Sequence, residues 1–168
     1  HTLAFSIAPK INAAGRMGDA RAALALFNEA DENKIFDLAA KLSGYNMERQ
    51  KCCDELYLSA KEMLKARSEI GNVIMLCNES WNSGFVGIVA ARLADEYARP
   101  AILFVKNGDM LKGSARSVEN VNIFEALRAC SQYITEFGGH SQAAGINVSA
   151  DNFQSLYNAV DEYIGANY

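Results

Sequence analysis

Asn-Val-Ile-Met-Leu-Cys, at residues 72–77, is a continuous apolar run of strand length, and it decides the fold class. A run without polar alternation is typical of a strand that is covered on both faces of its sheet. Layers of helix on a sheet define an α/β domain, so the run predicts an α/β fold.

Downstream of this run, amphipathic helical patterns alternate with short apolar runs. The spacing predicts helices over Phe85–Tyr97, Ile123–Thr135 and Asn152–Ile164, the last capped by Asp151. Further strands are predicted over Ala101–Val105, Leu111–Ser117 and Ala144–Val148. The expected fold is α/β, with a mixed sheet of four or five strands flanked by helices.

Upstream of the run, a long helical pattern precedes the sheet. Apolar residues recur at helical spacing from Asp31 to about Arg67, and only Gly44 interrupts them. One continuous helix of this length would span roughly 50 Å. The alternative is two helices broken near Ser43-Gly44.

The amino-terminal residues differ from this helical pattern. Residues 1–19 are rich in turn signals and predict an ordered loop, after which Asp19 is a good N-cap for a short helix over Ala20–Glu29. His1 in place of methionine suggests a fragment of a longer chain. The predicted domains are 1–69, a loop with a long helical connector, and 70–168, the α/β domain.

Composition restricts the class of protein. The chain has 168 residues, of which 50% are hydrophobic, and lacks both a membrane-length apolar run and a signal pattern. We therefore expect a soluble, cytoplasmic protein with no membrane partner. The four cysteines lack a C-x-x-C pair, which agrees with a reducing compartment.

The net charge of −4 excludes a global attraction for nucleic acid. Phosphate binding has to come from a local cluster of cations and backbone N–H groups.

Residues 112–117, Lys-Gly-Ser-Ala-Arg-Ser, form one candidate phosphate site. With a period of two, Lys112, Ser114 and Arg116 project to one face of a strand. Arginine offers a bidentate fork and serine a donor, both suited to a phosphate. The alternative is an exposed strand face with a salt-bridged arginine.

Residues 137–145, Phe-Gly-Gly-His-Ser-Gln-Ala-Ala-Gly, form a second candidate, predicted to be a loop that faces a polyanion. Gly138 and Gly139 free the backbone and present N–H groups, and His140 is able to donate to a phosphate. The alternative is a turn with a buried histidine between a helix and a strand.

Two other segments carry weaker signals. The loop Asn78–Ile88 holds the only tryptophan, Trp81, and leads into a helix start that is able to face an anion; ordinary capping is the alternative. Asn12 and Arg16 lie in the amino-terminal segment. No metal site is predicted within this sequence, because His1 and His140 are its only histidines and neither has an acidic pair at ligand spacing.

Taken together and in this order, four motifs closely resemble the carboxy-terminal part of the RecJ family, single-strand-specific 5′ to 3′ DNA exonucleases of the DHH phosphoesterase superfamily. The resemblance covers essentially the whole chain. The motifs are residues 7–19 (IAPKINAAGRMGD), 84–93 (GFVGIVAARL), 113–117 (GSARS) and 137–145 (FGGHSQAAG).

This resemblance implies a DHH-associated substrate-binding domain at 70–168 and a connector at 1–69 that joins it to a catalytic DHH domain upstream. That catalytic domain would hold a manganese or magnesium pair, would be the partner of this chain beside single-stranded DNA, and would leave this fragment alone inactive and metal-free. The resemblance implies phosphate contacts for Ser114 and Arg116, with Lys112, Asn12, Gly138 and Gly139 beside them. It implies supporting catalytic roles for His140 and Arg16.

Two other functions stay open at this point. The first is a DHH-family phosphoesterase that acts on short oligonucleotides or cyclic dinucleotides, since those proteins share a Gly-Gly-His domain. The second is a non-catalytic nucleic-acid-binding or interaction module, which the net negative charge and the lack of a metal cluster favour.

Overall fold

The computed structural model describes residues 6–168. Within them the chain forms two compact units, one ending at Glu55 and one covering Leu56–Tyr168. Residues 1–5 of the predicted amino-terminal loop lie outside the described residues.

Helices build the first unit. In chain order they are α1 (Ala8–Arg16), α2 (Ala20–Asn28) and the beginning of α3 (Glu32–Lys65). Ala14, Ala22, Ala23 and Leu42 form the buried cluster of this unit. The prediction of a loop over residues 1–19 is wrong for Ala8–Arg16, because Pro9 lies in the first helical turn, where its fixed φ is tolerated, and the small side chains of Ala13 and Ala14 are fully buried.

Helix α3 continues for 34 residues, so the alternative of a break near Ser43-Gly44 is wrong. Among residues 6–168, no heavy atom lies within 4 Å of the point that a Cβ on Gly44 would occupy. Asp31 caps the helix, since its Oδ1 accepts hydrogen bonds from the backbone N–H groups of Asn33 (2.9 Å) and Lys34 (3.3 Å).

Asp19 precedes α2, but its side chain makes no capping hydrogen bond. The carboxylate accepts instead from Lys41 Nζ at 2.8 Å and from Tyr45 Oη at 3.1 Å. The bond from Lys41, followed by that from Tyr45, lowers the pKa of Asp19. The predicted cap is therefore wrong, and Asp19 joins α2 to α3 within the first unit.

The second unit contains a mixed sheet of five strands in the order β1-β2-β3-β5-β4. The strands are β1 (Ile74–Cys77), β2 (Ala101–Asn107), β3 (Met110–Arg116), β4 (Glu136–His140) and β5 (Ala143–Ser149). β1 and β2 are parallel, and all other pairs are antiparallel. The predicted α/β fold with a mixed sheet and a long preceding helix is confirmed.

Helices cover the two faces of this sheet unequally. They are α4 (Val86–Tyr97), α5 (Ile123–Ala129) and α6 (Phe153–Asn167). On one face α5 and α6 close the main core over side chains such as Ile102, Phe104 and Ile146. On the other face α4 contacts β2 and β3.

Three boundaries in the carboxy-terminal half differ from prediction. The helix predicted over Ile123–Thr135 ends at Ala129, because the N–H of Thr135 already donates to the carbonyl of Asn147 in the neighbouring strand. β4 occupies Glu136–His140, where a loop was predicted. Asn152, not Asp151, lies at the N-cap of α6, since a 3-10 turn takes up Ala150–Asn152.

Glu96 on α4 joins that helix to the part of α3 within the second unit. Its carboxylate accepts from Lys61 Nζ at 2.5 Å and also from the hydroxyl of Tyr57. The bond from Lys61, followed by that from Tyr57, lowers the pKa of Glu96 below its usual 4.5. A lowered folded-state pKa stabilises the fold above the unfolded value, and this stabilisation is lost as the pH falls through the folded value.

We therefore expect Glu96→Gln to lower the free energy of unfolding at about pH 7 and to have a smaller effect at about pH 3. Chemical denaturation followed by the fluorescence of Trp81, the only tryptophan, measures both values. Glu62→Gln, which changes an exposed acid on the same α3 helix, is the matched control. If the difference in stability between the wild type and Glu96→Gln were the same at both pH values, the stabilising role of the ionised Glu96 carboxylate would be contradicted.

Candidate nucleic-acid interface

Strand β3 carries a row of polar side chains on one face. Lys112 is exposed and Ser114 and Arg116 are half-buried, whereas the alternating Leu111, Gly113 and Ala115 are buried in the core. A Cβ on Gly113 would lie 2.6 Å from the ring of Phe104, so this position has room only for glycine. The alternation predicted for residues 112–117 is present in the structure.

The register of the sheet places further residues on the same face, because directly opposed residues on neighbouring strands point to the same side. We call this surface of β3, β5 and β4 the open face. It consists of three cross-strand rows: Arg116–Ala143–His140, Ser114–Gly145–Gly138 and Lys112–Asn147–Glu136.

The guanidinium of Arg116 is held at one end of the open face. Its Nη1 donates to Ser114 Oγ at 2.9 Å and to the carbonyl of Ala115 at 2.7 Å. The first turn of α4 borders it, since a Cβ on Gly87 would lie 2.8 Å from both Arg116 Nη2 and Ser114 Oγ. Glycine at position 87 therefore provides the space that the Arg116 and Ser114 side chains occupy.

The two glycines of the Gly-Gly-His motif have different roles. A Cβ on Gly139 would collide with the carbonyl oxygen of Ala143 and lie 2.6 Å from the Cα of Ala144, and its φ is +154°. Gly138 has no heavy atom of the described part of the chain within 4 Å of its Cβ position. Gly139 therefore allows β4 to pair with β5, and Gly138 keeps the open face free of side chains.

His140 ends β4 and is exposed. Its Nδ1 accepts a hydrogen bond of 3.3 Å from the backbone N–H of Gln142. The alternative of a buried histidine is therefore wrong. The prediction of a loop here is also wrong, because Phe137–His140 pair with β5 in regular register and reach the open face as part of an edge strand.

The loop before α4 is stabilised by its own residues. Trp81 is only 6% exposed, and its Nε1 donates to Ser59 Oγ at 3.2 Å. Asn82 Oδ1 accepts from the backbone N–H of Gly84 at 2.8 Å, which orders the turn that leads into the helix at Val86. The N-cap residue of α4, Phe85, makes no side-chain capping hydrogen bond, so these contacts order the loop without capping the helix.

Asn12 and Arg16 belong to the first unit. They lie four residues apart on α1, so their side chains share one face of that helix, and both are exposed. The structure brings the other predicted residues, Lys112, Ser114, Arg116, Gly138 and His140, together on the open face of the second unit, with Gly139 in its edge strand.

The part of the chain that the structure describes offers no metal centre. Residues 6–168 contain no group of three or more His, Cys, Asp or Glu side chains able to hold a metal ion. These residues therefore do not fit a two-metal site. Among the same residues, no helix has the length and apolar character needed to cross a membrane.

Sequence reasoning missed three residues of the open face and its border. Gly87 is absent from the predicted site residues, although it borders Arg116. Asn147 and Glu136 were not considered, because the pairing of β4 with β5 was not foreseen. Their signal was the short distance in sequence between the two strands, which permits an antiparallel hairpin.

Residues 70–166 match the family model of the DHHA1 domain. The chain therefore belongs to the DHHA1 domain family, which agrees with the DHH superfamily that the motifs implied. The predicted resemblance to RecJ is confirmed by individual relatives.

One such relative is the single-stranded-DNA-specific exonuclease RecJ of Bacillus subtilis, 36% identical over 96% of this chain and 21% of the relative. The crystal structure of RecJ in complex with Mg²⁺ from Thermus thermophilus superposes with a TM-score of 0.87 at 30% identity, over 98% of this chain and 26% of that one. A structure of exonuclease RecJ bound to manganese gives a TM-score of 0.80 at 32% identity, over 98% and 41%. The chain thus spans less than half the length of each of these relatives.

Proposed function

We propose that this chain is the nucleic-acid-binding part of a RecJ-like 5′ to 3′ single-stranded-DNA exonuclease. The open face binds the phosphate backbone and the 5′ end, with Ser114 and Arg116 as the principal contacts and Lys112 further along the same strand. The observation that carries this proposal is the convergence of Arg116, Ser114 and His140 with a floor of small residues on one accessible surface.

The chemistry of this surface suits phosphate. Arg116 is oriented by Ser114 and by the start of α4, so its planar fork is ordered before a ligand arrives. Gly138 and Gly145 carry no side chain, which lets a strand approach the backbone closely. Contacts of this kind position a strand without reading its sequence.

In this proposal a DHH catalytic domain outside this chain carries out the hydrolysis. That catalytic domain is the partner of this chain. The RecJ relatives were crystallised with Mg²⁺ or Mn²⁺, and a metal pair of this kind would supply phosphodiester hydrolysis there. Arg16 and His140 would each stabilise phosphate charge in a supporting role, and Asn12 and Gly139 are further candidate contacts. We place the protein in the cytoplasm, in keeping with its four free cysteines.

The test is a titration of the 168-residue chain with 5′-phosphorylated single-stranded DNA, followed by fluorescence anisotropy at low and high salt. If Arg116 and Lys112 contact phosphates, log Kd should change with log salt concentration with a slope of about 1.4, since each cation contributes about 0.7 on single strands. Binding that does not depend on salt would contradict phosphate contacts.

The same samples decide between the functions left open. Incubation with Mn²⁺ should leave the strand intact, whereas robust degradation by this chain would overturn the division of labour. A dinucleotide should compete poorly with the long strand; equal competition would favour the small-substrate phosphoesterase. Absence of binding to either would favour an interaction module for proteins.

A further inference from the structure

The end of the open face furthest from Arg116 has a different chemistry. A cavity of about 280 Å³ lies there, lined by Lys112, Gly138, Gly145, Asn147 and Glu136 among others. Its volume is close to the lower limit of small-molecule sites. Gly138 and Gly145 have no heavy atom within 4 Å of their Cβ positions, so the floor of the cavity is open enough for a planar ring.

Away from Lys112, two polar side chains line this cavity, Glu136 on β4 and Asn147 on β5. Asn147 Nδ2 donates to Glu136 Oε2 at 3.0 Å. Because a carboxylate only accepts, this bond fixes which end of the Asn147 amide faces Glu136. Asn147 Oδ1 and the other lone pairs of Glu136 are therefore available as neighbouring acceptors, and together they favour a ligand with N–H donors.

A carboxylate is also a poor neighbour for a phosphate. Glu136 lies two strands away from Lys112 in the same cross-strand row, a distance of roughly 10 Å between strand axes. A DNA backbone that follows Lys112, Ser114 and Arg116 along β3 would thus direct its bases across the glycine floor toward Glu136, and its phosphates away from it.

We propose that Glu136 and Asn147 form a site for the edge of a nucleobase, selective for a base with an exocyclic amino group. This inference rests on the proposed function. Cytosine offers its N4 amino donor to a carboxylate, whereas thymine presents the O4 carbonyl at the equivalent position. Thymine would therefore oppose acceptor with acceptor, so the domain prefers cytosine to thymine at one position of the bound strand.

The experiment compares the binding of 5′-phosphorylated homopolymers of deoxycytidine and thymidine to the 168-residue chain. The wild type should bind the deoxycytidine strand roughly three- to tenfold more tightly, the range expected for one net hydrogen bond. Glu136→Ala should bring this ratio close to one. Glu162→Ala, on α6 across the sheet, removes the same charge and should leave the ratio unchanged. Trp81 fluorescence confirms that each variant is folded.

The ratio of the two affinities separates the base site from general electrostatics. Loss of a negative charge strengthens the binding of both strands alike, which leaves the ratio as it was. Equal affinities in the wild type, or a ratio that Glu136→Ala does not change, would overturn the base site while the proposed function stands. If the wild type binds neither strand, the proposed function fails, and this inference fails with it.

Discussion

Gly139→Ala is expected to lower the free energy of unfolding of the second unit by about 3 kcal/mol. The φ of +154° is a conformation that residues with a side chain rarely adopt, and a Cβ would collide with the carbonyl oxygen of Ala143. Both neighbours are backbone atoms of β5, so the clash is relieved only by separating the two strands. Chemical denaturation followed by Trp81 fluorescence measures the loss.

Gly138→Ala is the matched control for this prediction. It adds the same methyl group one residue earlier in the same strand, where nothing lies within 4 Å. Its stability should stay within about 0.5 kcal/mol of the wild type, as for most surface substitutions. Equal losses in the two variants would show that the motif needs its glycines for general flexibility and would contradict the distinct roles assigned here.

This pair of glycines also shows the limit of prediction from sequence. A glycine pair beside a histidine is a typical turn signal, and nothing local to residues 137–145 shows that Gly138 pairs with Gly145. The strand exists because β5 offers a partner at matching register. That information lies in the tertiary structure, and therefore the loop prediction failed.

The strands predicted from apolar runs behave differently. Val73–Leu76 and Ala101–Phe104 are buried, so an unbroken apolar run indicates their environment, and both segments contain strands close to the predicted bounds. The helix over Ala8–Arg16 was not predicted, because a segment containing Pro9 and Gly15 gives no periodic apolar signal. Its helical state depends instead on burying Ala13 and Ala14.

The position of the open face was likewise only partly predictable. The period of two in residues 112–117 placed Lys112, Ser114 and Arg116 on one side, but it did not indicate what lies beside them. Gly87, from a helix that precedes β3 by more than ten residues, defines the space around Arg116. The sequence singled out Arg116 as a candidate but not Gly87, which borders it.

Arg116→Ala is expected to weaken the binding of single-stranded DNA by roughly tenfold or more, the usual effect of losing hydrogen bonds to a charged group. Arg116→Lys keeps the charge but loses the planar fork and should give an intermediate affinity. The measurement is fluorescence anisotropy with a 5′-phosphorylated strand at fixed low salt. Arg128→Ala, which removes an exposed arginine from α5 on the other side of the sheet, should change affinity much less.

Gly87→Ala tests the same site without removing any charge. The added methyl group would lie 2.8 Å from Arg116 Nη2 and Ser114 Oγ, so these side chains have to move, and binding should weaken while the net charge stays the same. Side chains move more easily than backbone, so this variant should lose less stability than Gly139→Ala. If Arg116→Ala and Arg128→Ala weaken binding equally, or if Gly87→Ala binds like the wild type, affinity depends on overall charge and not on an oriented guanidinium. If only Arg116→Ala and Gly87→Ala weaken DNA binding, the affinity depends on the ordered contact that Ser114, Arg116 and the first turn of α4 form.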